Sequence, residues 1–482
     1  MKLVKSLLLG SAAGLAAVAG AQAADLPSKK AAPVEYVRVC SAHGAGFFYI
    51  PGSDTCIKLG GRVRFEYGYQ QPYAKTTNTT GMRSLGRFEL DARNSTEYGL
   101  LRAYTRVDFA RRTGLLRSGT GERLGSAFPG TGVDFNGNAQ TQVFVDRAFI
   151  QLGGLTAGRA VSFFGFYNGD YDWASVALGD GLVTNLLAYT ATFGSGFSAT
   201  LSLEDGIERR QMIVGAGPTN NFINSNAIVT QTAGVLTLGS GSGYGGNAMP
   251  DIVAALRVDQ SWGSAQLSGA LHQLRVAGSA ATPGSGAGTE YGYAFNAGVK
   301  INLPMLAKGD NLMINFGYAN GAVSYVASNN MAGGTAGQGT GKVGNLSLVD
   351  AVVTTTGQLE TTQIYGITAG IQHYWTPTIM QALYGSYGQV AYSSAAVAAM
   401  GGSGTTTTAQ ANNFRNWQYW AIGSNVSWTP VRGLMMGVEV DYQNFMADGG
   451  LLVASNAGPR QAGALASSGG VITSRLRIQR DF

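Results

Sequence analysis

The sequence predicts an all-β protein: a transmembrane antiparallel β-barrel of about sixteen strands with its third long loop folded inward. Three observations carry this expectation. Apolar and polar residues alternate with period two over runs of ten or so residues, and one face of each run is charged or polar. Charged residues make up only 12% of the 482, about half the usual share for a soluble domain, and no apolar stretch long enough for a spanning helix follows residue 23. Finally, short and long connections alternate along the chain. Eight long ones imply about sixteen strands, the size that leaves an aqueous bore.

Taken in order, residues 1–23 read as a signal peptide. Lys2 and Lys5 form the positive region, Leu7 to Val18 the apolar stretch, and Ala21-Gln22-Ala23 the cleavage site. Its removal takes two of the 33 basic residues, leaving 31 against 27 acidic ones and a net charge of +4 instead of +6. So small a surplus excludes a nucleic-acid binder. Residues 24–56 read as a periplasmic N-terminal segment. Within it Phe47-Phe48-Tyr49-Ile50 meets the turn-forming Pro51-Gly52-Ser53-Asp54. The chain's two cysteines, Cys40 and Cys56, read as a disulfide across that hairpin. Closing so short a loop restricts the unfolded chain by about 3 kcal/mol.

The barrel is expected over residues 57–482. In its first strand Leu59, Val63, Phe65, Tyr67 and Tyr69 oppose Lys58, Arg62, Arg64 and Glu66. The second sets Phe88, Leu90 and Ala92 against Arg87, Glu89, Asp91 and Arg93; the third sets Leu101, Ala103, Val107 and Phe109 against Arg102, Tyr104, Arg106 and Asp108. Further runs follow at 252–259, 291–302, 311–318 and 436–442. A soluble sandwich buries its apolar face on shorter strands, whereas a membrane barrel turns that face to lipid and keeps charges in a wet lumen. Trp262, Trp375, Trp420, Trp428 and Tyr442 fall towards segment ends, as an interfacial girdle requires.

Short connections are expected at 95–97, 153–154, 194–196, 261–263, 376–378 and 429–432. Long ones are expected near 70–84, 111–139, 162–185, 206–249, 276–289, 319–361, 393–413 and 446–471. The third long loop differs from the rest. Around Phe163 to Leu182 the alternation stops, aromatics crowd together, and Asp170, Asp172 and Asp180 appear among four glycines. A structureless segment of that length in a compact domain generally has a function. Folding into the bore, with residues 162–185 as a constriction, is the expectation, and an exposed surface loop is the alternative. The tracts Gly239 to Gly246, Ala332 to Gly344 and Ala395 to Ala409 are low-complexity loop sequence.

No catalytic constellation is present, and the chain is not expected to be an enzyme or to need a cofactor. His43, His272 and His373 lack the spacing of a zinc site. Gly339-Thr340-Gly341-Lys342 approximates a phosphate loop, but Ala336 stands where glycine is required and Val343 where Ser or Thr is required. Asp170-x-Asp172 lacks the later ligands of a calcium loop, so no metal is expected.

The run from Cys40-Ser-Ala-His-Gly-Ala-Gly-Phe-Phe-Tyr-Ile-Pro-Gly-Ser-Asp-Thr-Cys56 into Ile57-Lys-Leu-Gly-Gly-Arg-Val-Arg64 closely resembles the opening of alphaproteobacterial outer-membrane porins of the rhizobial and Brucella type. Ala148-Phe-Ile-Gln-Leu-Gly-Gly154, Ala157-Gly-Arg159 with Phe163-Phe164, and Phe482 are similar as well. The resemblance covers the chain in outline, and only the first sixty-odd mature residues and 148–166 match as motifs. It implies a Gram-negative outer-membrane homotrimer, each subunit a multi-pass barrel passing small hydrophilic solutes and ions passively. It also implies outer-membrane lipid and lipopolysaccharide as surroundings, and Phe482 as a signal to the barrel-assembly machinery. A substrate-specific channel and a surface adhesin are the alternatives.

Within that expectation the eyelet is built from two sides. Arg62, Arg64, Arg87, Arg93, Arg102 and Arg106 line one arc, and Arg475 and Arg477 join it if the last strand closes beside the first. Asp170, Asp172 and Asp180 of the inward loop face them, giving a transverse field.

Overall fold

The computed structural model describes residues 38–482 except 73–77, 117–138, 216–227, 233–234, 240–243, 277–287, 328–333, 339–345, 355, 400–414 and 453–464. The signal peptide and parts of the long loops, including most of the low-complexity tracts and the Gly339–Lys342 run, lie outside the described residues.

Two compact units meet between Ile57 and Lys58. In the first, Cys40 and Cys56 form a disulfide with Cα atoms 6.0 Å apart. Phe48–Tyr49 pairs antiparallel with the chain at Cys56 and Ile57. Pro51-Gly52-Ser53-Asp54 makes the turn, where Ser53 N–H donates to Ile50 O at 3.0 Å and Gly52 takes φ 76°. The bridge is buried against Phe47, which suits a hairpin too small for a core of its own.

The second unit is a closed barrel of sixteen strands. They are β1 (Cys56–Gln70), β2 (Thr80–Thr96), β3 (Gly99–Thr113), β4 (Ala139–Leu152), β5 (Leu155–Val161), β6 (Val183–Thr192), β7 (Phe197–Glu204) and β8 (Asp251–Gln260). There follow β9 (Gly263–Arg275), β10 (Thr289–Asn302), β11 (Asn311–Asn320), β12 (Gln363–Thr376), β13 (Ile379–Ala391), β14 (Trp417–Val431), β15 (Leu434–Leu452) and β16 (Leu465–Asp481). Each pairs antiparallel with its sequence neighbours, and β16 returns to β1 from Arg62↔Asp481 to Gln70↔Thr473.

Period two becomes two faces. On β8, Ile252 and Leu256 point out while Val253 and Ala255 are buried inside. Leu59, Val63, Leu256, Leu267 and Phe295 are each half exposed or more. So continuous an apolar exterior is stable against lipid, not water. The inner face carries Glu66, Asp108, Gln142, Ser202, Asn296, Thr368 and Glu439, all buried.

The six expected short connections are present, with a seventh at 303–310 that the sequence reading did not mark. Strands β15 and β16 run further than expected, shortening the last loop to 453–464. Trp262, Trp375 and Trp428 lie exposed at the short-turn end. Tyr442, expected near a segment end, is mid-strand on β15, its ring 5.1 Å from that of Trp420.

The long loops are not loose appendages where they are described. Ile213–Gly215 pairs parallel with Ala351–Val353, which pairs antiparallel with Leu359–Thr361. Leu346, Leu348, Val349 and Val352 then pack with Val323, Val326, Tyr392, Ala396 and Trp417 in one buried cluster that runs on into residues 164–178.

Candidate pore constriction

Strand β5 is only seven residues long because the chain leaves the wall at Val161 and rejoins it at Val183. Ser162 N–H donates to Leu182 O at 3.0 Å and closes the neck of this loop. Inside the loop, the buried Asp172 carboxylate accepts from Tyr167 OH at 2.7 Å and from Ala177 N–H at 3.0 Å. The Tyr167 and Tyr171 rings stack with centroids 6.1 Å apart. Burial raises the Asp172 carboxyl above its ordinary range, and these two donors oppose the rise.

The loop backbone is held by the inner face of the wall. Ser268 Oγ on β9 donates to Phe164 O at 2.6 Å. Thr368 on β12 donates to Leu178 O at 2.7 Å, and Ser386 on β13 accepts from Leu178 N–H at 2.9 Å. Asn425 Nδ2 on β14 donates to Tyr171 O at 2.6 Å, and Glu439 on β15 accepts from Trp173 N–H at 2.6 Å. Tyr419 OH donates to Val176 O, and Arg475 on β16 donates to Trp173 O. Buried irregular backbone requires its polar groups to be satisfied in this way.

Of the three acids expected to face the bore, the structure leaves only Asp170 exposed. Asp172 is an internal brace. Asp180 is 1% exposed and receives both terminal nitrogens of the equally buried Arg209, at 2.6 and 3.0 Å. Arg209 also lies 3.9 Å over the Tyr325 ring. The sequence reading missed Arg209, which comes from a short 3-10 turn at Gly206–Arg209 in the next long loop. No periodic signal marks it.

The eight expected arginines do share one arc, β16 and β1–β3, and acids on the same strands engage most of them. Arg62 pairs with Asp481 at 2.5 Å, Arg87 with Asp108 at 2.7 Å, and Arg93 and Arg102 share Asp91 at 2.7 and 2.9 Å. Arg106 bonds Asp146 of β4. Arg477 and Arg475 reach Glu66 at 2.6 and 3.7 Å, and Arg83 joins them. Arg64 differs, donating to the neutral Gln479 at 2.7 Å. Arg83, Arg112 and Arg147 extend the arc beyond the expected set; even spacing from Arg87 and Arg106 on the same strands marks the first two, whereas Arg147 faces Arg106 only because of the register shift at Asp146. Arg477 also lies 4.6 Å over the Trp173 ring, so the tip of the loop meets the arc here.

A family model described as "Porin subfamily" matches residues 25–461. The chain belongs to this porin family. Porin Omp2b of Brucella abortus (strain 2308) is 35% identical over 269 residues, covering 54% of this chain and 64% of the relative. The counterpart from Brucella melitensis biotype 1 is 34% identical over the same span. The matched region thus spans 64% of these relatives' length, less than two thirds of it. Among solved structures, the outer membrane channel DcaP of Acinetobacter baumannii aligns with TM-score 0.56 at 12% identity, over 90% of this chain and 99% of that one. That likeness is one of fold. Family and barrel together place the porin in the outer membrane of a Gram-negative bacterium.

Proposed function

We propose that this porin is a passive channel for small hydrophilic solutes and ions, and not an enzyme, with residues 162–182 lying in the bore as its constriction. One observation carries the reading. The loop is bonded to inner-face residues on β9 and β12–β16, while the part of the arginine arc on β1–β4 keeps partly exposed side chains, Arg62 at 25% and Arg102 at 23%. Solutes therefore pass between the loop and the arginine arc. The field across that gap is one-sided, since Asp170 is the one expected loop acid that is exposed.

Homotrimer assembly, a lipopolysaccharide-containing surround and recognition of Phe482 during barrel assembly belong to the same proposal. In the folded barrel Phe482 exchanges backbone hydrogen bonds with Gly61, at 3.0 and 3.1 Å.

Single-channel recording in planar bilayers tests the reading. Wild type is expected to conduct without saturating. Deleting Tyr167 to Gly181 is expected to raise conductance and admit larger sugars while the barrel still assembles, since loops tolerate deletion better than strands. Unchanged conductance in the deletion places the loop outside the bore.

A further inference from the structure

Several inner-face positions beneath the loop are glycine, and each meets a particular loop side chain. Gly366 on β12 and Gly388 on β13 are directly paired across the sheet, and Leu178 drops between them. A Cβ on Gly366 would lie 2.9 Å from Leu178 Cδ1, and one on Gly388 would overlap the same atom. The adjacent pair, Thr368 and Ser386, holds the Leu178 carbonyl and amide. Side chain and backbone of one residue are thus fixed by four consecutive inner-face positions on two strands. Gly298 on β10 leaves room for the Phe166 ring. Gly437 on β15 is a different case: a Cβ there would stand 2.6 Å from Trp173 Cη2 but nearer still, 2.4 Å, to the Val426 carbonyl of β14.

Gly298, Gly366 and Gly388 do not serve the backbone. None of the three has a left-handed φ, and glycine inside a strand weakens it unless something approaches closely. The closest approach at each of them is a loop side chain. A residue with a side chain at any of these positions must push the loop off the wall, and the free space lies towards the arginine arc.

We infer that Gly298, Gly366 and Gly388 form a notched seat that sets how far the constriction loop stands into the bore, and so set the width of the channel. Leu178 in the Gly366–Gly388 notch is its central register point. The inference rests on the loop lying in the bore, and the test separates the two.

Gly388→Val and the milder Gly388→Ala are compared with wild type, with Leu178→Ala, and with the Gly388→Val/Leu178→Ala double variant. All are purified as assembled barrels, checked by heat-modifiable gel mobility, and recorded in planar bilayers. Gly388→Val is expected to lose conductance or gain open-channel noise as the loop is displaced. Gly388→Ala is expected to show a smaller change of the same kind, and serves if the valine barrel fails to assemble. The double variant is expected to recover towards wild type, because removing the leucine reopens the space. Wild-type behaviour in both glycine variants overturns the seat, as does a defect that Leu178→Ala leaves untouched. If the loop deletion changes conductance while the glycine variants do not, the loop is in the bore but the seat does not set its depth. If neither changes it, the placement of the loop itself is wrong.

Discussion

Replacing Arg62, Arg64, Arg102 and Arg106 together by glutamine is expected to move the ion preference towards cations by an amount set by net charge. On β16 and β1–β4, Arg475, Arg477, Arg62, Arg64, Arg83, Arg87, Arg93, Arg102, Arg106, Arg112 and Arg147 share the wall with Glu66, Glu89, Asp91, Asp108, Asp146 and Asp481. With Lys58 of β1, twelve positive charges against six negative leave a surplus of six, and the quadruple variant reduces it to two. At about 8 Å in water a unit charge changes an ion's energy by about 0.5 kcal/mol, close to RT. Each arginine removed therefore alters the local concentration of either ion by about twofold before screening.

In a tenfold salt gradient an ideally selective pore reverses at about 59 mV. Four arginines should recover some tens of millivolts of that span at low salt, roughly 10–30 mV with a Debye length of about 10 Å. At 1 M the Debye length is about 3 Å and the shift should largely vanish. A reversal potential that does not move at low salt refutes the arc as the pore's field source. Arg64→Gln alone is the informative control. Its bond to Gln479 involves no counter-charge, so it changes the field without leaving a buried acid unpaired. Arg87→Gln removes the same unit charge but strands Asp108, whose side chain is 3% exposed. Breaking a pair that is buried costs about 3–5 kcal/mol. Selectivity should count charges, while resistance to thermal unfolding in detergent should count pairs.

The disulfide should leave neither Cys40 nor Cys56 open to alkylation in denatured, unreduced protein; free labelling of both contradicts the bridge. Arg209→Met should release the loop neck by leaving Asp180 and Glu204 without their buried cation, read as added open-channel noise; a quiet, unchanged trace contradicts the clamp. Asp350 should make the packing of the long loops pH-dependent. Burial pushes its carboxyl from 3.8 up to about 6, against the pull of His272, Tyr244 OH and two backbone N–H groups. The folded state therefore holds this proton more tightly than the unfolded one, and loop stability is full below about pH 4 and lost as pH rises through 6. Hydrogen exchange over 346–362 should accelerate from pH 4 to pH 7, after correction for intrinsic rates, and a flat corrected profile refutes it.

Most of the barrel was legible because its signal is local. A strand between lipid and water must alternate, so Phe88, Leu90 and Ala92 against Glu89, Asp91 and Arg93 already state both faces. The turn at 303–310 escaped because eight residues are too long to read as a tight turn and too short to stand out as a loop. Arg83 escaped because Leu85 breaks the alternation by pointing inward, where it is buried. Asp172 and Asp180 were legible as charges but not as partners. Their fates depend on Tyr167, five residues away, and on Arg209, in the next long loop. The small sheet of Ile213–Gly215, Ala351–Val353 and Leu359–Thr361 joins segments well over a hundred residues apart, beside tracts whose composition alone reads as flexible.

The inner face also records where water goes. In an open barrel every lumenal side chain is wet, so polar and charged residues suit every inward position equally. Here they do not fall equally. Strands β10 and β12–β15 turn mostly glycine, serine, threonine, asparagine and tyrosine inward, and the acids that meet the loop side of this wall, Glu439 and Asp441, are fully buried against Trp173 N–H and Tyr384 OH. Strands β1–β4 instead turn arginines and carboxylates inward, cross-paired at several heights along the wall. A glycine notch has no use in open water, because nothing there needs the space. A ladder of arginines has no use beneath a loop, because each unpaired guanidinium would have to be desolvated. On the proposed placement of the loop, the two kinds of wall mark the covered and the conducting sides of the bore by residue type. A seat of glycines opposite an arginine ladder is the pattern to look for in other barrels of this kind.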